Sequence, residues 1–366
     1  MSVPGNWKIE EILSLTYYKK VNLSLIYRAV ESFSCLDELI KPQRKNDISD
    51  FFSKNELFEQ DINPIEEAKK QIELCEKRNV DIVSFWDEKY PQLLSQIHLP
   101  PVILFVKGQL QNADSVSISM VGTRKCTTYG KLNAEEFASY FAQNGIIVTS
   151  GLAMGIDTIS HLSAIETNGI TYAVLGCGID ALSSSYQQKY ADKIVESGGA
   201  IISEFKCGVT AKPGYFPQRN RIISGISKAT LIVESDVQGG SMITAKFAFD
   251  QGRDVFAIPG HIKSEKSRGT NFLIKKNIAS LATSPHDMME DLGLSSMFET
   301  TQQKQIIIMD SVEKSIFDNL SHEPIHIDEI ANKANLEITD TMVKLLNMEF
   351  NGIIKQLPGK YYIKAI

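Results

Sequence analysis

The chain has 366 residues, 43% of them hydrophobic, and a formal net charge of −6. This length and hydrophobic content predict about two or three globular units with a substantial core, and they exclude disordered and fibrous proteins. The mild acidity gives no overall nucleic-acid footprint, so any nucleic acid would have to be held by a local patch.

The cysteines and the apolar runs predict the compartment. Five cysteines are scattered along the chain without a C-x-x-C pair, which argues against both a disulfide framework and a zinc site. The first residues, MSVPGNWKIEE, lack an apolar signal core, and charged or polar residues interrupt every apolar run before membrane-spanning length. We therefore expect a soluble, cytoplasmic protein with no membrane partner.

Residues 1–78 are predicted to form a small helical domain of the SAM-like type. Within this stretch, apolar residues such as Ile12, Leu15, Leu23 and Ile26 recur at mixed three- and four-residue spacing. This spacing is typical of amphipathic helices. The pattern changes at about residue 79, where we place the domain boundary.

Residues 79–293 are predicted to form an α/β domain around a doubly wound, mostly parallel sheet. Short β-branched runs alternate here with amphipathic helices, and several runs are apolar without alternation, as strands buried on both faces are. Strand–helix repetition of this kind is typical of parallel sheets. The runs are DIVSF, VILFV, SVSISMV, IIVTS, TYAVL, AIIS, TLIVE, DVFAI and IASLA.

The C-terminal part is predicted to be a linker, residues 294–305, followed by a winged helix, residues 306–366. The last segment shows three helical patterns and then IIKQLPGKYYIK, two short strands joined through Pro358-Gly359. Residues 305–366 contain nine acidic and six basic residues, a net charge of −3. Because a negative module is a poor phosphate binder, we expect a protein-interaction or regulatory role for this domain.

Four loops of the α/β domain lie where ligands of an open parallel sheet bind, beyond the carboxyl ends of its strands. The first is VGTRKCTTYG, in which Gly122 ends a strand, Arg124 follows, and Thr127 or Thr128 is expected to cap the next helix. Backbone N–H groups at that helix start attract an anion, and Arg124 can add a two-pronged contact to phosphate. The alternative is a tight turn with a solvent-facing arginine.

The second loop is TSGLAMGID, residues 149–157. Gly151 and Gly155 are predicted to let a ligand approach the backbone closely, although small residues there also help a helix pack on a sheet. His161 lies one turn into the following helix, and we expect a packed or capping role for it rather than a catalytic one.

The third loop is LGCGIDA, residues 175–181, which matches the dinucleotide pattern G-x-G-x-x-G/A. Glu204 follows at about the right distance for a ribose contact, so a nicotinamide-dependent oxidoreductase is a rival interpretation. Against it, the charge of Asp180 within the turn would oppose a pyrophosphate. Moreover, the fingerprint normally opens the fold instead of following several βα units.

The fourth loop is SDVQGGSMITA, residues 235–245. Gly239 and Gly240 precede Ser241, a predicted N-cap, and Thr244 lies one turn later. Bare amides and a hydroxyl at a helix start predict another anion seat. The nucleotide-binding pattern G-x-x-x-x-G-K-[ST] is absent, so ATP hydrolysis is not expected.

The segment from Glu204 to Lys228 concentrates positive charge. It contains five basic residues and one acidic residue, a local net charge of +4. Arg219 and Arg221 are two residues apart at a predicted helix start, so their side chains point in different directions. We expect one of them to face the cleft and the other to pair internally, with Glu204 or Glu234 as its partner.

Two aromatic residues, Tyr215 and Phe216, adjoin these arginines. Either ring can stack on an unpaired base, and sequence-tolerant single-strand binders combine a positive groove with such aromatic platforms. The alternative is an aromatic residue packed in the core beside arginines that form structural ion pairs.

Six segments follow one another in a specific order: VGTR, SGLAMGID, GCGID, FPQRNRIISG, GGSMITA and GRDVFAIPG. This order resembles the DNA processing protein A (DprA/Smf) family. With DEKYPQLLSQIHLPPVILFVKG before these segments and RGTNFLI after them, the resemblance runs from about Ile82 to about Leu292. The flanking helical domain and winged helix also suit the family.

The resemblance implies an extended Rossmann-like fold and a protein that binds single-stranded DNA without sequence preference. It also implies a homodimer that helps load the RecA recombinase onto incoming DNA in natural transformation. No catalytic residue, no metal and no cofactor is implied. The resemblance implies that Arg124 and the basic residues of FPQRNR line the DNA pocket, with Gly240 and Ser241 nearby. Together with the residues singled out in the glycine loops and the positive segment, the predicted DNA-binding residues are Gly122, Thr123, Arg124, Gly151, Lys212, Phe216, Arg219, Asn220, Arg221, Gly239, Gly240, Ser241 and Thr244.

Two enzyme classes remain as alternatives. A nicotinamide oxidoreductase that binds NAD would use Gly176, Gly178 and Glu204. A Rossmann-like phosphoribohydrolase acting on a nucleotide would need a positioned acid, for which Glu204 and Glu234 are the candidates.

Overall fold

The computed structural model describes residues 4–18, 21–40, 63–112, 115–294, 310–321, 323–350 and 352–364. Contacts within the chain divide it into two compact units, Met1–Phe298 and Glu299–Ile366. Within the described ranges, no helix has both the length and the apolar character that crossing a bilayer requires.

In the N-terminal part of the first unit, the described residues form four helices. They are α1 (Ile9–Leu15), α2 (Leu23–Ser32), α3 (Leu36–Ile40) and α4 (Pro64–Lys77). The side chains of Asn22 and Asn63 accept hydrogen bonds from the first turns of α2 and α4, which satisfies donors that a helix start leaves free. One hydrophobic cluster joins Trp7 of this part to Phe105 of the sheet, so the helices pack against the sheet. The domain boundary at residue 78 stays a prediction.

Nine strands of the described residues form one sheet, and they correspond to the nine short β-branched runs in the sequence. They are β1 (Asp81–Ser84), β2 (Ile103–Gly108), β3 (Ser117–Val121), β4 (Ile147–Ser150), β5 (Thr171–Leu175), β6 (Ala200–Ser203), β7 (Ala229–Ile232), β8 (Asp254–Ala257) and β9 (Ser280–Leu281). Their order is β1-β2-β6-β5-β4-β3-β7-β8-β9. The strands from β6 to β9 in this order pair in parallel, whereas β1 and β2 are antiparallel additions at one edge. The doubly wound, mostly parallel, Rossmann-like fold is therefore confirmed.

Helices cover both faces of this sheet. They are α5 (Gln92–Ser95), α6 (Thr128–Gln143), α7 (Ile156–Glu166), α8 (Ser185–Glu196), α9 (Tyr215–Ile226), α10 (Gly240–Asp250), α11 (Arg268–Lys275) and α12 (Pro285–Asp291), with a 3₁₀ turn at Glu265–Ser267. Hydrophobic clusters fill the space between the layers. Strand β3 is buried over its whole length because helices lie on both faces of the sheet.

The connections of the sheet change direction at β3. The chain runs from β3 through β4 and β5 to β6 on one side, and β7 then lies on the other side of β3. Ile118 of β3 pairs with Val148 of β4 and with Ala229 of β7. Loops that leave adjacent strands in opposite directions open a crevice at the carboxyl ends of those strands, and ligands of such sheets bind there.

The second unit has the topology of a winged helix, as predicted. Its elements are α13 (Ser311–Asn319), β10 (Ile325–His326), α14 (Ile327–Ala334), α15 (Ile338–Phe350), β11 (Ile354–Leu357) and β12 (Tyr361–Lys364). The strands pair in the order β10-β12-β11, and Ile316, Ile330 and Leu345 belong to a separate hydrophobic core. Apart from its first position, Leu294, the predicted linker lies outside the described residues.

Candidate functional site

A cleft of about 440 Å³ opens beyond the carboxyl ends of β3 and β7, at the point where the sheet connections change direction. The predicted DNA-binding residues that line this cleft are Gly122, Thr123, Arg124, Phe216, Arg219, Asn220, Gly239, Gly240, Ser241 and Thr244. The remaining predicted residues, Gly151, Lys212 and Arg221, do not line it. The glycine loops thus lie at the edge of the sheet where the cleft opens. The role of these residues in DNA binding stays a prediction.

The N-terminus of α10 forms one wall of the cleft. The helix begins at Gly240, and its N-cap, Gly239, has no side chain that could accept a hydrogen bond. Among the described residues, the backbone N–H groups of Gly240 and Ser241 have no acceptor. Gly240 is exposed, and a Cβ added there would meet no atom of the rest of the protein within 4 Å, so the start of the helix is accessible. Free donors at the positive end of a helix dipole attract an anion.

Ser241 does not cap α10, contrary to the prediction. It is the second residue of the helix and is buried, and its hydroxyl donates to Oγ of Ser235, 2.8 Å away. Thr244, one turn later, is also buried. The hydroxyl that was expected to join the anion seat therefore bonds inside the protein, and the seat consists of backbone donors.

The N-terminus of α6 is occupied by an acidic side chain of the protein itself. Thr127 caps the helix, as predicted, by accepting from the N–H of Gly130. The buried carboxylate of Glu234, just after β7, accepts from the N–H and the hydroxyl of Thr127 at 2.9 and 2.5 Å. A Cβ at Gly130 would lie 2.2 Å from a carboxylate oxygen of Glu234. The protein's own carboxylate therefore lies at this helix start, and a role of the first loop in holding an external anion stays a prediction.

A second acidic side chain lies at the N-terminus of α7. Asp157 is buried and accepts from the backbone N–H groups of Gly151 and Ala153, at 3.2 and 3.4 Å. Burial raises the pKa of this carboxyl, and the charge of Arg219 is the largest influence that opposes the rise. The glycine loop before α7 thus supplies N–H donors to an internal carboxylate.

Arg219 is a buried structural cation. It is 5% exposed, and its Nη1 atom donates to the carbonyl oxygen of Gly151, 2.7 Å away, and to that of Val174. Its Nε atom donates to Oδ1 of Asn220 at 3.2 Å. Burial lowers the pKa of this guanidinium to about 10. A Cβ at Gly151 would lie 2.7 Å from its nitrogen atoms, so Arg219 makes the close approach that the sequence assigned to a ligand.

Two other predicted cations lie outside the cleft. Arg221 donates to Oε1 of Glu204, and both side chains are 12% exposed. This pair confirms that one arginine of the FPQRNR segment pairs internally with Glu204. Lys212 is exposed, and its Nζ atom lies 5.7 Å from the centroid of the Tyr215 ring.

The rest of the positive segment, residues 204–228, is also used for packing. The Nζ atom of Lys206 lies 3.2 Å from the centroid of the Tyr17 ring, and burial lowers the pKa of this lysine to about 8. The Nζ atom of Lys228 donates to the carbonyl oxygen of Leu292 at 3.0 Å. The local charge of +4 therefore serves mainly to hold the fold together.

The opposite wall of the cleft carries an exposed cation and an aromatic ring. The Cζ atom of Arg124 lies 6.0 Å from the centroid of the half-buried Phe216 ring. The other candidate aromatic residue, Tyr215, stacks on Phe205 with ring centroids 4.3 Å apart. Phe216 is thus the aromatic side chain that lines the cleft.

Lys266 also lines the cleft, and sequence reasoning missed it. Its carbonyl oxygen accepts from the N–H of Ser235 at 2.8 Å, which brings the lysine beside the loop before α10. Within the described part of the chain its ammonium group has no ion-pair partner. The neighbouring carboxylate of Asp236 pairs with Arg268 at 3.4 Å. The sequence feature that could have identified Lys266 is its position just before RGTNFLI, one of the segments that resemble the family.

The third glycine loop does not form a dinucleotide-binding turn. Strand β5 ends at Leu175, but α8 begins only at Ser185, so no helix N-terminus directly follows these glycines. Asp180 accepts from the N–H of Gly208 at 2.7 Å and pairs with Arg78. A pyrophosphate at this loop would have neither the helix dipole nor the free donors that the dinucleotide fingerprint supplies.

His161 is a packed residue, as predicted. It is fully buried on α7, and its Nδ1 atom lies 2.6 Å from Oγ1 of Thr171. The hydroxyl of Thr171 donates to the carbonyl oxygen of Val148, so Nδ1 of the imidazole is the atom that carries the hydrogen. Burial lowers the pKa of His161 to about 3, and the charge of Arg219 adds to this lowering.

Two relatives of this chain carry the names Protein Smf and DNA processing protein DprA. Protein Smf of Escherichia coli (strain K12) is 36% identical over 308 residues, which cover 80% of this chain and 81% of that protein. DNA processing protein DprA of Streptococcus pneumoniae is 36% identical over 208 residues, which cover 57% of this chain and 73% of that protein.

Solved structures show the same fold. The X-ray structure of DNA processing protein A from Streptococcus pneumoniae aligns with a TM-score of 0.62 and 30% identity, over 80% of this chain and 99% of that one. DNA processing protein A from Helicobacter pylori, studied for its single-stranded DNA binding mode, aligns with a TM-score of 0.53 and 26% identity, over 59% of this chain and 96% of that one.

Two family models match the chain. The winged helix matches the DprA winged helix domain over residues 301–360. The sheet domain, with the cleft, matches the DNA recombination-mediator protein A model over residues 81–293. The chain therefore belongs to the DNA recombination-mediator protein A family, whose members are named DprA or Smf.

Proposed function

We propose that this chain is a non-catalytic protein that binds single-stranded DNA in the cleft with little sequence preference. In this proposal it acts in the cytoplasm as a homodimer and helps load RecA recombinase onto incoming DNA in natural transformation. Family membership supports the role, and the Helicobacter pylori relative supports the ligand.

The observation that carries the proposal is the open N-terminus of α10 beside two available cations. The N–H groups of Gly240 and Ser241 have no acceptor among the described residues, and Arg124 and Lys266 line the same cleft. Backbone donors at a helix start and long cationic side chains suit a phosphate group. A neighbouring phosphate of an extended strand would meet the second cation.

The cleft also provides a surface for a base. The ring of Phe216 is half-buried and lines the cleft, so one of its faces can receive an unpaired base. Phosphates and ring stacking are the same for every nucleotide, which is why such a site tolerates changes of sequence. Duplex DNA keeps its bases stacked inside, so it cannot use the Phe216 surface.

The experiment is fluorescence anisotropy with labelled oligo-dT and with a duplex of equal length, across a salt series. Arg124→Ala should weaken binding of oligo-dT about tenfold at moderate salt and make the salt dependence shallower, because one phosphate contact is lost. Lys125→Ala is the matched control, since Lys125 is also exposed and adjacent but does not line the cleft. Equal affinity of the Arg124 variant and wild type for oligo-dT would contradict the proposal that single-stranded DNA binds in the cleft.

The enzyme alternatives make a different prediction. The carboxylates that line the cleft are already engaged, Asp157 by backbone N–H groups and Asp236 by Arg268. Glu204 and Glu234, the candidate acids, accept from Arg221 and Thr127. We therefore expect no free base when nucleoside monophosphates are incubated with the protein, and no change in NADH fluorescence on titration. Release of a free base would favour the phosphoribohydrolase interpretation.

The assembly and the partner are tested separately. Analytical ultracentrifugation of the full chain should show a dimer. RecA filament formation on single-stranded DNA can be measured through the ATP hydrolysis that accompanies it. The lag before hydrolysis should shorten when the protein is added, and Arg124→Ala should abolish this shortening. A monomer, or an unchanged lag, would remove the corresponding part of the proposal.

A further inference from the structure

Two buried cysteine side chains from distant parts of the sequence meet beneath the N-terminal helices. Cys75 lies in the last turn of α4, and Cys207 lies in the loop that follows β6. Their sulfur atoms are 3.8 Å apart, and the residues are 1% and 6% exposed. Among the described residues they are the only cysteine pair within hydrogen-bonding distance of each other.

We propose that Cys75 and Cys207 are a modification site at which hydrogen peroxide forms an intramolecular disulfide. The Cys207 thiolate attacks one peroxide oxygen, the O–O bond breaks, and hydroxide leaves, which yields a sulfenic acid. The Cys75 sulfur then attacks the sulfenic sulfur, the S–S bond forms, and the S–OH oxygen leaves as water. The net reaction consumes two thiols and one peroxide, gives one disulfide and two waters, and moves two electrons from sulfur to peroxide.

The surroundings assign these roles to the two sulfurs. The two sulfur atoms are within hydrogen-bonding distance, and this contact is the main cause that lowers the pKa of Cys207, with a smaller lowering from Arg78. The same contact raises the pKa of Cys75. The thiolate is the reactive form of cysteine. Cys207 is thus the sulfur that attacks peroxide, and Cys75 is the one that resolves the sulfenic acid.

The local fold keeps both sulfurs in place until they react. Asp180 accepts from the N–H of Gly208, the residue after Cys207, and also pairs with Arg78, the residue that ends α4. The carboxylate of Asp180 therefore links the loop that contains Cys207 to the end of α4, the helix that contains Cys75. A disulfide requires the sulfurs to close from 3.8 Å to about 2 Å. A Cβ at Gly208 would meet no atom within 4 Å, so the outer side of the loop has room to shift.

The other three cysteines provide internal comparison. Cys35 and Cys126 are partly exposed and Cys177 is buried, and in the described residues none of them has a second sulfur within hydrogen-bonding distance. Partly exposed thiols without a resolving partner proceed to sulfinic acid or to cross-links between molecules. Burial of Cys75 and Cys207 also favours a small oxidant, so glutathione disulfide should react much more slowly than peroxide.

The test is a thiol and mass analysis of the full chain. Wild-type protein is treated with hydrogen peroxide, alkylated, and digested with trypsin without reductant. Peptides 71–77 and 207–219 should appear joined, with the loss of two hydrogen atoms, and two of the five thiols should disappear before the others react. Cys126→Ser should leave this product unchanged, whereas Cys75→Ser and Cys207→Ser should abolish it.

The wild-type digest decides the outcome even if a cysteine variant fails to fold. Sulfinic or sulfonic acid on Cys207, or cross-links to Cys35 or Cys126, without the joined peptides would overturn the proposal. Arg78→Gln tests the assigned mechanism further and should slow disulfide formation several-fold, while Arg78→Lys should restore most of the rate. An equal rate in both variants would remove the role of the cation.

Discussion

Helices α6 and α10 begin on the same edge of the sheet, each after a glycine-containing loop that follows a parallel strand. At α6, Thr127 caps the first turn, and the carboxylate of Glu234 bonds to the cap residue. At α10, the cap is Gly239, and the described residues provide no acceptor for the N–H groups of Gly240 and Ser241. The two helix ends have the same dipole, so what differs is whether the protein brings its own anion.

The start of α7 extends the comparison to a third helix. Asp157 accepts from two N–H groups of the preceding loop, and the buried Arg219 stands behind it. Of these three helix starts, therefore, two hold internal carboxylates and one is open. A glycine loop before a helix predicts a place for negative charge, but it does not say whether that charge belongs to the protein or to a ligand.

The largest effect should come from removing the cation behind α7. Arg219→Ala takes away the donors to the carbonyl oxygens of Gly151 and Val174 and leaves Asp157 buried without its neighbouring charge. We expect a loss of about 3–5 kcal/mol in the free energy of unfolding, as when one partner of a buried charge network is removed. Urea unfolding followed by tryptophan fluorescence measures it, because Trp7 and Trp86 both belong to the first unit.

Arg219→Lys is the control for charge alone. A lysine keeps the positive charge but cannot replace the planar donor set that reaches two carbonyl oxygens and Asn220. It should recover only part of the stability. If Arg219→Ala unfolds like wild type, Arg219 is a free cation, and the contrast between α7 and α10 is lost.

The second effect is a pH dependence of stability that comes from His161 on α7, a helix whose start holds an internal carboxylate. The pKa of His161 is lowered to about 3, whereas an unfolded histidine binds its proton below about 6.5. Between these values the unfolded chain binds the proton and the native chain does not. His161 should therefore make the native state lose about 1.4 kcal/mol of stability per pH unit as the pH falls from about 6 towards 4.

The measurement is urea unfolding at several pH values for wild type and His161→Leu. The other titrating groups, including Asp157, contribute to both proteins, so the difference between the two slopes isolates His161. The variant should show the shallower fall in stability below about pH 6. Identical slopes would mean that His161 is accessible to protons in the native state.

The third effect tests the open helix end directly. Gly240→Asp adds a carboxylate at the N-terminus of α10, where the starts of α6 and α7 already have the carboxylates of Glu234 and Asp157. A side chain fits there, since a Cβ would meet no atom within 4 Å. The helix should gain about 0.3–1 kcal/mol from the favourable charge at its N-terminus. The Kd for oligo-dT should nevertheless rise at least about tenfold, or about 1.4 kcal/mol, because the added charge repels phosphate.

Gly240→Asn is the matched control, because it has the same shape without the charge. The asparagine variant should bind oligo-dT more tightly than the aspartate variant, and the gap between them should narrow as salt screens the repulsion. Equal affinities for the two variants at low salt would show that no phosphate approaches this helix end.

The fold was readable from the sequence because its signals are local. The nine short β-branched runs became the nine strands of the sheet, and β3, β4, β5, β6 and β7 are buried at every position. The edge that bears the cleft was also readable, because loops with glycines cluster where the sheet connections change direction. Both signals depend on neighbours in the sequence.

The charged partners were not readable, because they come from remote positions. Arg221 meets Glu204, Lys206 meets Tyr17, and Arg219 lies against the loop at Gly151. A local excess of positive charge in the sequence therefore looked like a DNA-binding wall, although most of it is used inside the fold. The cap predicted at Ser241 failed for a different reason, since the helix begins one residue before it and the hydroxyl donates to the nearby Ser235.

The smallest effects separate the cation found in the structure from one proposed from the sequence. Lys266 lines the cleft beside the α10 loop, whereas Lys212 is exposed over Tyr215 and lies outside it. Lys266→Ala should weaken oligo-dT binding by about 0.5–1 kcal/mol and flatten its salt dependence, as the loss of one phosphate contact does. Lys212→Ala should change affinity by less than about 0.5 kcal/mol. Anisotropy titrations of both variants in one salt series measure these losses of affinity. A larger loss for the Lys212 variant than for the Lys266 variant would mean that the single-stranded DNA does not pass beside α10.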